Sequence, residues 1–127
     1  MVAEVVGAVL LVVVGLVHVL PGVVAIAPGR AATAYGTDVP NRDLELLLRH
    51  RAVLLALVGI GLIVGAFVPS ARPVTIAAGI LSTGSFLVLT MAIGPRALDA
   101  RTLRVARIDV GALAALVLAV LLFGFTE

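Results

Sequence analysis

Residues 2–26 read VAEVVGAVLLVVVGLVHVLPGVVAI. Glu4 is the single charged side chain in that run, and His18 is its only other titratable group. At 1.5 Å rise per residue, about 20 apolar residues cross roughly 30 Å of hydrocarbon. The run is long enough to do so. No basic residue precedes it, and Pro28 follows the small-x-small triplet Ala25-Ile26-Ala27 where a signal-peptide cut would fall. It therefore reads as a retained transmembrane helix.

Three more stretches of this kind follow. One runs from about Ala52 to Val68 and stops at Pro69, one from Val74 to Gly94 before Pro95, and one from about Val105 to Phe125. A helical start near Arg42 gives the second an interfacial leader. The expected fold is all-α: an integral membrane four-helix bundle in one domain over residues 1–127, with helices near 2–26, 42–68, 74–94 and 105–125. Composition agrees. Charged residues make up 13%, against about a quarter in soluble domains. So little polar surface implies that lipid, not water, covers most of the chain.

All nine basic residues are Arg, a usage that points to a GC-rich bacterial source. Their placement predicts orientation. The first long loop and the start of helix 2 hold Arg30, Arg42, Arg49 and Arg51. The third loop and the start of helix 4 hold Arg96, Arg101, Arg104 and Arg107. Arg72 is alone in the middle loop. Arg concentrates on the cytoplasmic side of membranes. Both termini should thus lie outside a bacterial inner membrane, with the Arg-rich loops in the cytoplasm. One Tyr, four Phe and no Trp leave no stacking surface for nucleic acid. The absence of Cys excludes disulfides and thiolate metal sites.

Pro28-Gly29 should end helix 1. Gly36, Asp38 and Pro40 keep the loop irregular. Asn41 is placed as an N-cap for a helix beginning near Arg42, with Asp43 and Glu45 on its positive end. Glu45 and Arg49 are spaced to pair. Small residues at steps of three or four mark faces for close helix packing. These faces comprise the stripe Glu4, Gly7, Leu11, Gly15, His18, Gly22 and Ala25 on helix 1, and Gly61 and Gly65 on helix 2. Helix 3 offers Thr75, Gly79, Ser82, Phe86 and Thr90, and helix 4 Gly111, Ala112, Ala115 and Ala119.

Ionisable groups within membrane helices are costly and need partners. His18 should sit about 12 Å inside the cytoplasmic end of helix 1, and Asp109 about 6 Å inside helix 4. Neither has a side-chain partner on its own helix. The Val17 carbonyl, freed by Pro21, is a local candidate for His18. Side-chain pairing of His18 with Asp109 is the other expectation, if helices 1 and 4 are adjacent. Thr90, Tyr35, Arg49, His50 and Arg51 belong to the same half. Together they form either a polar clasp or a cytoplasm-facing cavity for a lipid, quinone or small anion.

Two His on adjacent helices clamp a haem only at similar depth. His18 and His50 differ by roughly 12 Å along their helices, so no cofactor and no metal is expected. Small multidrug transporters share four short helices but need a carboxylate in mid-helix 1, and Glu4 lies near the outer end. No P-loop, Gly-x-Ser-x-Gly or His-Glu-x-x-His motif is present.

The stretch Tyr35-Gly36-Thr37-Asp38, with Arg42-Asp43-Leu44-Glu45-Leu46-Leu47-Leu48-Arg49-His50-Arg51-Ala52, carries a resemblance. It resembles small bacterial four-helix membrane proteins often labelled phosphopantetheine adenylyltransferase. The Thr/Ser-x-Gly-His nucleotide motif of the soluble adenylyltransferase does not occur in this chain. The resemblance thus implies the membrane fold and not that activity. More loosely the chain is similar to DoxX-like four-helix proteins, which implies an accessory role beside other membrane or redox proteins. The expectation is a non-enzymatic accessory or scaffold subunit, in contact with the lipid bilayer and packing against itself or a larger membrane protein. The alternative is a binding or transport protein built on the polar cavity.

Overall fold

The computed structural model describes residues 1–27 and 41–124, with Val24 and Ala25 described by backbone alone. Among these residues the chain is all-helical. Four long helices follow one another: α1 (Val2–Val19), α2 (Arg42–Phe67), α3 (Arg72–Ile93) and α4 (Ala100–Gly124). Each is long and apolar enough to cross a membrane. Beyond α1 the chain tightens into a 3₁₀ turn at Leu20–Gly22, then one helical turn at Val23–Ile26. Pro21 explains the change, since it has no N–H to continue the α-helical ladder.

The helices close a ring in which each packs on its sequence neighbours and α4 packs on α1. The pairs run antiparallel. Gly15 meets Gly59 and Ile63 while Gly22 meets Ala56, and Gly65 meets Thr75 while Leu62 meets Gly79. Gly7 lies on the Phe123 ring. Leu11, Leu62, Thr83 and Leu116, one from each helix, are fully buried at the centre. Thr83 tolerates this because its hydroxyl donates to the Gly79 carbonyl at 3.0 Å. Such back-bonding satisfies a polar group without a second helix.

The tightest approach is between α1 and α2. A Cβ on Gly15 would lie 2.7 Å from the Gly59 carbonyl oxygen, and one on Gly59 would lie 2.5 Å from that of Gly15. The packing face of α1 is the expected one, with Gly7, Leu11, Val14, Gly15 and His18 buried. That of α2 differs. Gly59 makes the close approach, whereas Gly61 is half-buried against Thr75. Gly65 has the Thr75 hydroxyl directly on it. On α3 the buried positions are Ile76, Gly79, Thr83 and Thr90, with Ser82 and Phe86 only half-buried. On α4, Gly111 faces open space, and the helix packs through Ala106, Ala112, Leu116, Ala119 and Phe123.

The helix ends follow from side chains. The Asn41 carboxamide oxygen accepts from the Leu44 N–H at 2.8 Å, the cap expected there. Glu45 accepts from Arg42 at 2.7 Å and from Arg49 at 3.5 Å. Helix α4 begins at Ala100, five residues before the predicted start. Asp99 caps it, accepting from the Arg101 N–H at 2.8 Å. The apolar run marks where lipid can begin, whereas the helix continues past it as a turn carrying Arg101 and Arg104. Likewise α3 begins at Arg72, with Pro73 in its first turn where no N–H is needed.

Candidate functional site

Polar side chains gather at the two ends of the bundle. At the end where α1 finishes and α4 starts, His18 is 4% exposed. Its Nδ1 lies 3.0 Å from the Val14 carbonyl oxygen. A carbonyl only accepts, so Nδ1 carries the proton in this contact. The ring is thus satisfied one turn back on its own helix, and not by the carbonyl of Val17. Asp109 on α4 is half-buried, with His18 and Arg51 as its electrostatic neighbours. Three helices therefore bring His18, Arg51 and Asp109 into one field. No His18–Asp109 hydrogen bond is formed among the described residues.

Of the other described candidates, Thr90, Arg49 and His50 are placed elsewhere. The buried Thr90 hydroxyl donates to the Phe86 carbonyl at 2.8 Å within α3. Arg49 turns to Glu45 on the exposed face of α2, and His50 is exposed. Tyr35 lies outside the described residues. Arg51, a member of the group, also places its guanidinium 5.2 Å above the Phe86 ring centroid. A field without a direct bond makes a specific prediction. In a double-mutant cycle with His18→Leu and Asp109→Leu, the coupling should be about 0.5–1 kcal/mol. Thermal unfolding in detergent measures it, and strictly additive losses would show the two groups to be independent.

The opposite end holds a denser constellation that the sequence reading passed over. Arg72, at the start of α3, donates through Nε to the Gly65 carbonyl at 3.1 Å and through a terminal nitrogen to that of Ala66 at 3.5 Å. These are last-turn carbonyls of α2, which have no partner in their own helix. The same guanidinium lies 3.9 Å above the Phe123 ring of α4 and 3.8 Å from the Glu4 carboxylate of α1. One side chain thus touches all three other helices. The signal was available in the sequence, where Glu4 and Arg72 carry opposite charges at the same end of the bundle.

Two apolar grooves flank α3. The larger, about 570 Å³, runs between α2 and α3, with Arg51 at one end and Leu57, Ala78, Leu81 and Leu89 along it. The other, about 450 Å³, lies between α3 and α4 beside Arg72, Ile76 and Val120. Neither is lined by His18 or Asp109. Among the described residues no three His, Asp or Glu side chains gather to hold a metal ion. Comparison with protein-family models, with curated proteins and with solved structures finds no match to this chain.

Proposed function

We propose that the chain is a multi-pass protein of the bacterial cytoplasmic membrane, with both termini outside and the Arg-rich loops in the cytoplasm. There it serves as a non-enzymatic scaffold subunit, packing against a second copy of itself or a larger membrane protein. Support for the membrane comes from the four apolar helices and from the large side chains they expose. Val9 and Val13 on α1, Leu57 and Ile60 on α2, Leu81 and Val88 on α3, and Val117 and Leu121 on α4 all face outward. Such a surface suits contact with lipid.

The observation that carries the scaffold reading is Gly111. Glycine costs a helix interior about 1 kcal/mol relative to alanine. Among the described residues, nothing within 4 Å of Gly111 gains from the missing side chain. Ala114, also exposed, lies one turn further on. Small residues on membrane helices allow close backbone approach, and here that approach comes from outside the chain. The buried central layer of Leu11, Leu62, Thr83 and Leu116 argues against a transport path along the bundle axis.

Single-Cys variants test both parts, since the chain has no cysteine of its own. Oxidation of Gly111→Cys in native membranes should yield a dimer or one defined larger adduct, while Val13→Cys stays monomeric. An accessible Gly111→Cys that forms neither product would remove the scaffold reading. In whole cells an impermeant thiol reagent should label Ser70→Cys and spare Arg101→Cys. The reverse pattern would invert the orientation.

A further inference from the structure

We propose that the groove between α2 and α3 binds one anionic phospholipid, its acyl chain lying in the groove and its phosphate held by Arg51. This rests on the membrane placement proposed above and not on the scaffold role. Three observations carry it. The first is length. From Leu89 to Ala78 the groove follows α3 for about 16 Å, roughly half of a 30 Å hydrocarbon core. That is the depth of one leaflet. The wall is mainly apolar along this length, with Leu57, Leu81 and Leu89 beside Ser82 and Ser85, and its volume of about 570 Å³ falls within the usual range of ligand sites.

The second observation is the placement of charge. Arg51 stands at the end of the groove that reaches the loops, and Phe86 beneath it fixes the guanidinium. A guanidinium presents five N–H donors in a planar fork that matches phosphate oxygens. Arg51 can therefore hold a phosphate while remaining within the field of Asp109.

The third is the surrounding balance. At this end the described residues include seven arginines (Arg42, Arg49, Arg51, Arg96, Arg101, Arg104 and Arg107) against four carboxylates (Asp43, Glu45, Asp99 and Asp109), a net charge of +3. Such an end attracts anionic lipid. An uncharged quinone ring has no need of the cation, a free phosphate leaves the apolar length unused, and a helix of a second copy would bury Arg51 against apolar side chains.

The experiment uses the full chain in phosphatidylcholine vesicles doped with phosphatidylglycerol that carries a photoreactive acyl chain. After illumination, adducts should concentrate on Leu57, Ala78 and Leu81. The same photoreactive chain on phosphatidylcholine should give about tenfold less, the discrimination expected from one charge-assisted phosphate contact. Arg51→Gln should abolish the preference between the two headgroups. Ala78→Phe, which fills the groove without touching Arg51, should lower the adducts there, and covers the case in which Arg51→Gln fails to fold. Equal yields for both headgroups in the unaltered chain would overturn the site. So would adducts spread evenly over α1 and α4, full competition by a quinone, or cross-links to a second copy at Ala78. Release of the chain from vesicles by alkaline carbonate would instead overturn the membrane placement, and the lipid site with it.

Discussion

Gly15→Leu and Gly59→Leu should each force α1 away from α2 and destabilise the bundle by about 3 kcal/mol. The obstacle in both cases is backbone. A Cβ at either position would press on the carbonyl oxygen of the other glycine, at 2.7 and 2.5 Å. A carbonyl within a helix cannot rotate aside as a side chain does. The contrast is Gly7, where the atoms met are those of the Phe123 ring, a side chain near the bundle end with some freedom to shift. Val13→Leu provides the control, because Val13 is half-exposed and points away from α2. It should change stability by less than about 0.5 kcal/mol. Unfolding in detergent, followed by circular dichroism, ranks the variants. Equal stability of Gly15→Leu and Val13→Leu would mean that the helices do not meet at Gly15.

Arg72→Met should cost about 2–3 kcal/mol, the larger part from what it leaves behind. The Gly65 and Ala66 carbonyls lose their donor at the end of α2, and buried acceptors without a partner are expensive. The Phe123 ring loses a cation only 3.9 Å from its centroid. The ion pair itself contributes little. Glu4 is half-exposed at 53% and 3.8 Å away, the geometry of a weak, screened pair. Glu4→Gln should therefore fall well short of the Arg72→Met loss. Arg72→Lys should be intermediate, since a lysine keeps the charge but lacks the planar fork that reaches two carbonyls. The same unfolding assay decides. Losses of similar size for Glu4→Gln and Arg72→Met would show that the ion pair, and not the carbonyl contacts, holds the helices.

The fold was largely legible because length and hydropathy are averages over many residues. The four spans, the Asn41 cap and the packing face of α1 all follow from such patterns. Individual choices between neighbouring small residues did not. Gly59 and Gly61 are two apart and point to different helices; the spacing of Gly61 with Gly65 marks the face that meets Thr75 on α3, and nothing in it singles out Gly59 for α1. Gly111 offers the same pattern as a packing glycine, yet its face is outward. The start of α4 was misread because lipid boundaries and helix boundaries differ wherever a cap such as Asp99 lies outside the apolar run. At the polar site, depth alone brought His18 and Asp109 close enough for their side chains to meet, and α4 does pack on α1. Depth cannot say which way a side chain turns. His18 found a carbonyl four residues back on its own helix, and Arg49 and His50 turned to the surface.

The short joint between α2 and α3 bears on how such a chain would enter a bilayer. Only Val68 to Ala71 separate the two helices. A joint this brief, leading into adjacent antiparallel helices, suits insertion of the pair as a single hairpin. In the proposed orientation its tip must pass through the hydrocarbon, and Arg72 must go with it. An arginine at the centre of a membrane helix costs about 2.5–3.5 kcal/mol on the insertion scale. Here the hairpin supplies its own solvent. The Gly65 and Ala66 carbonyls belong to the same two-helix unit, so the guanidinium travels already coordinated. Glu4 and Phe123 belong to α1 and α4 and complete its surroundings when those helices assemble.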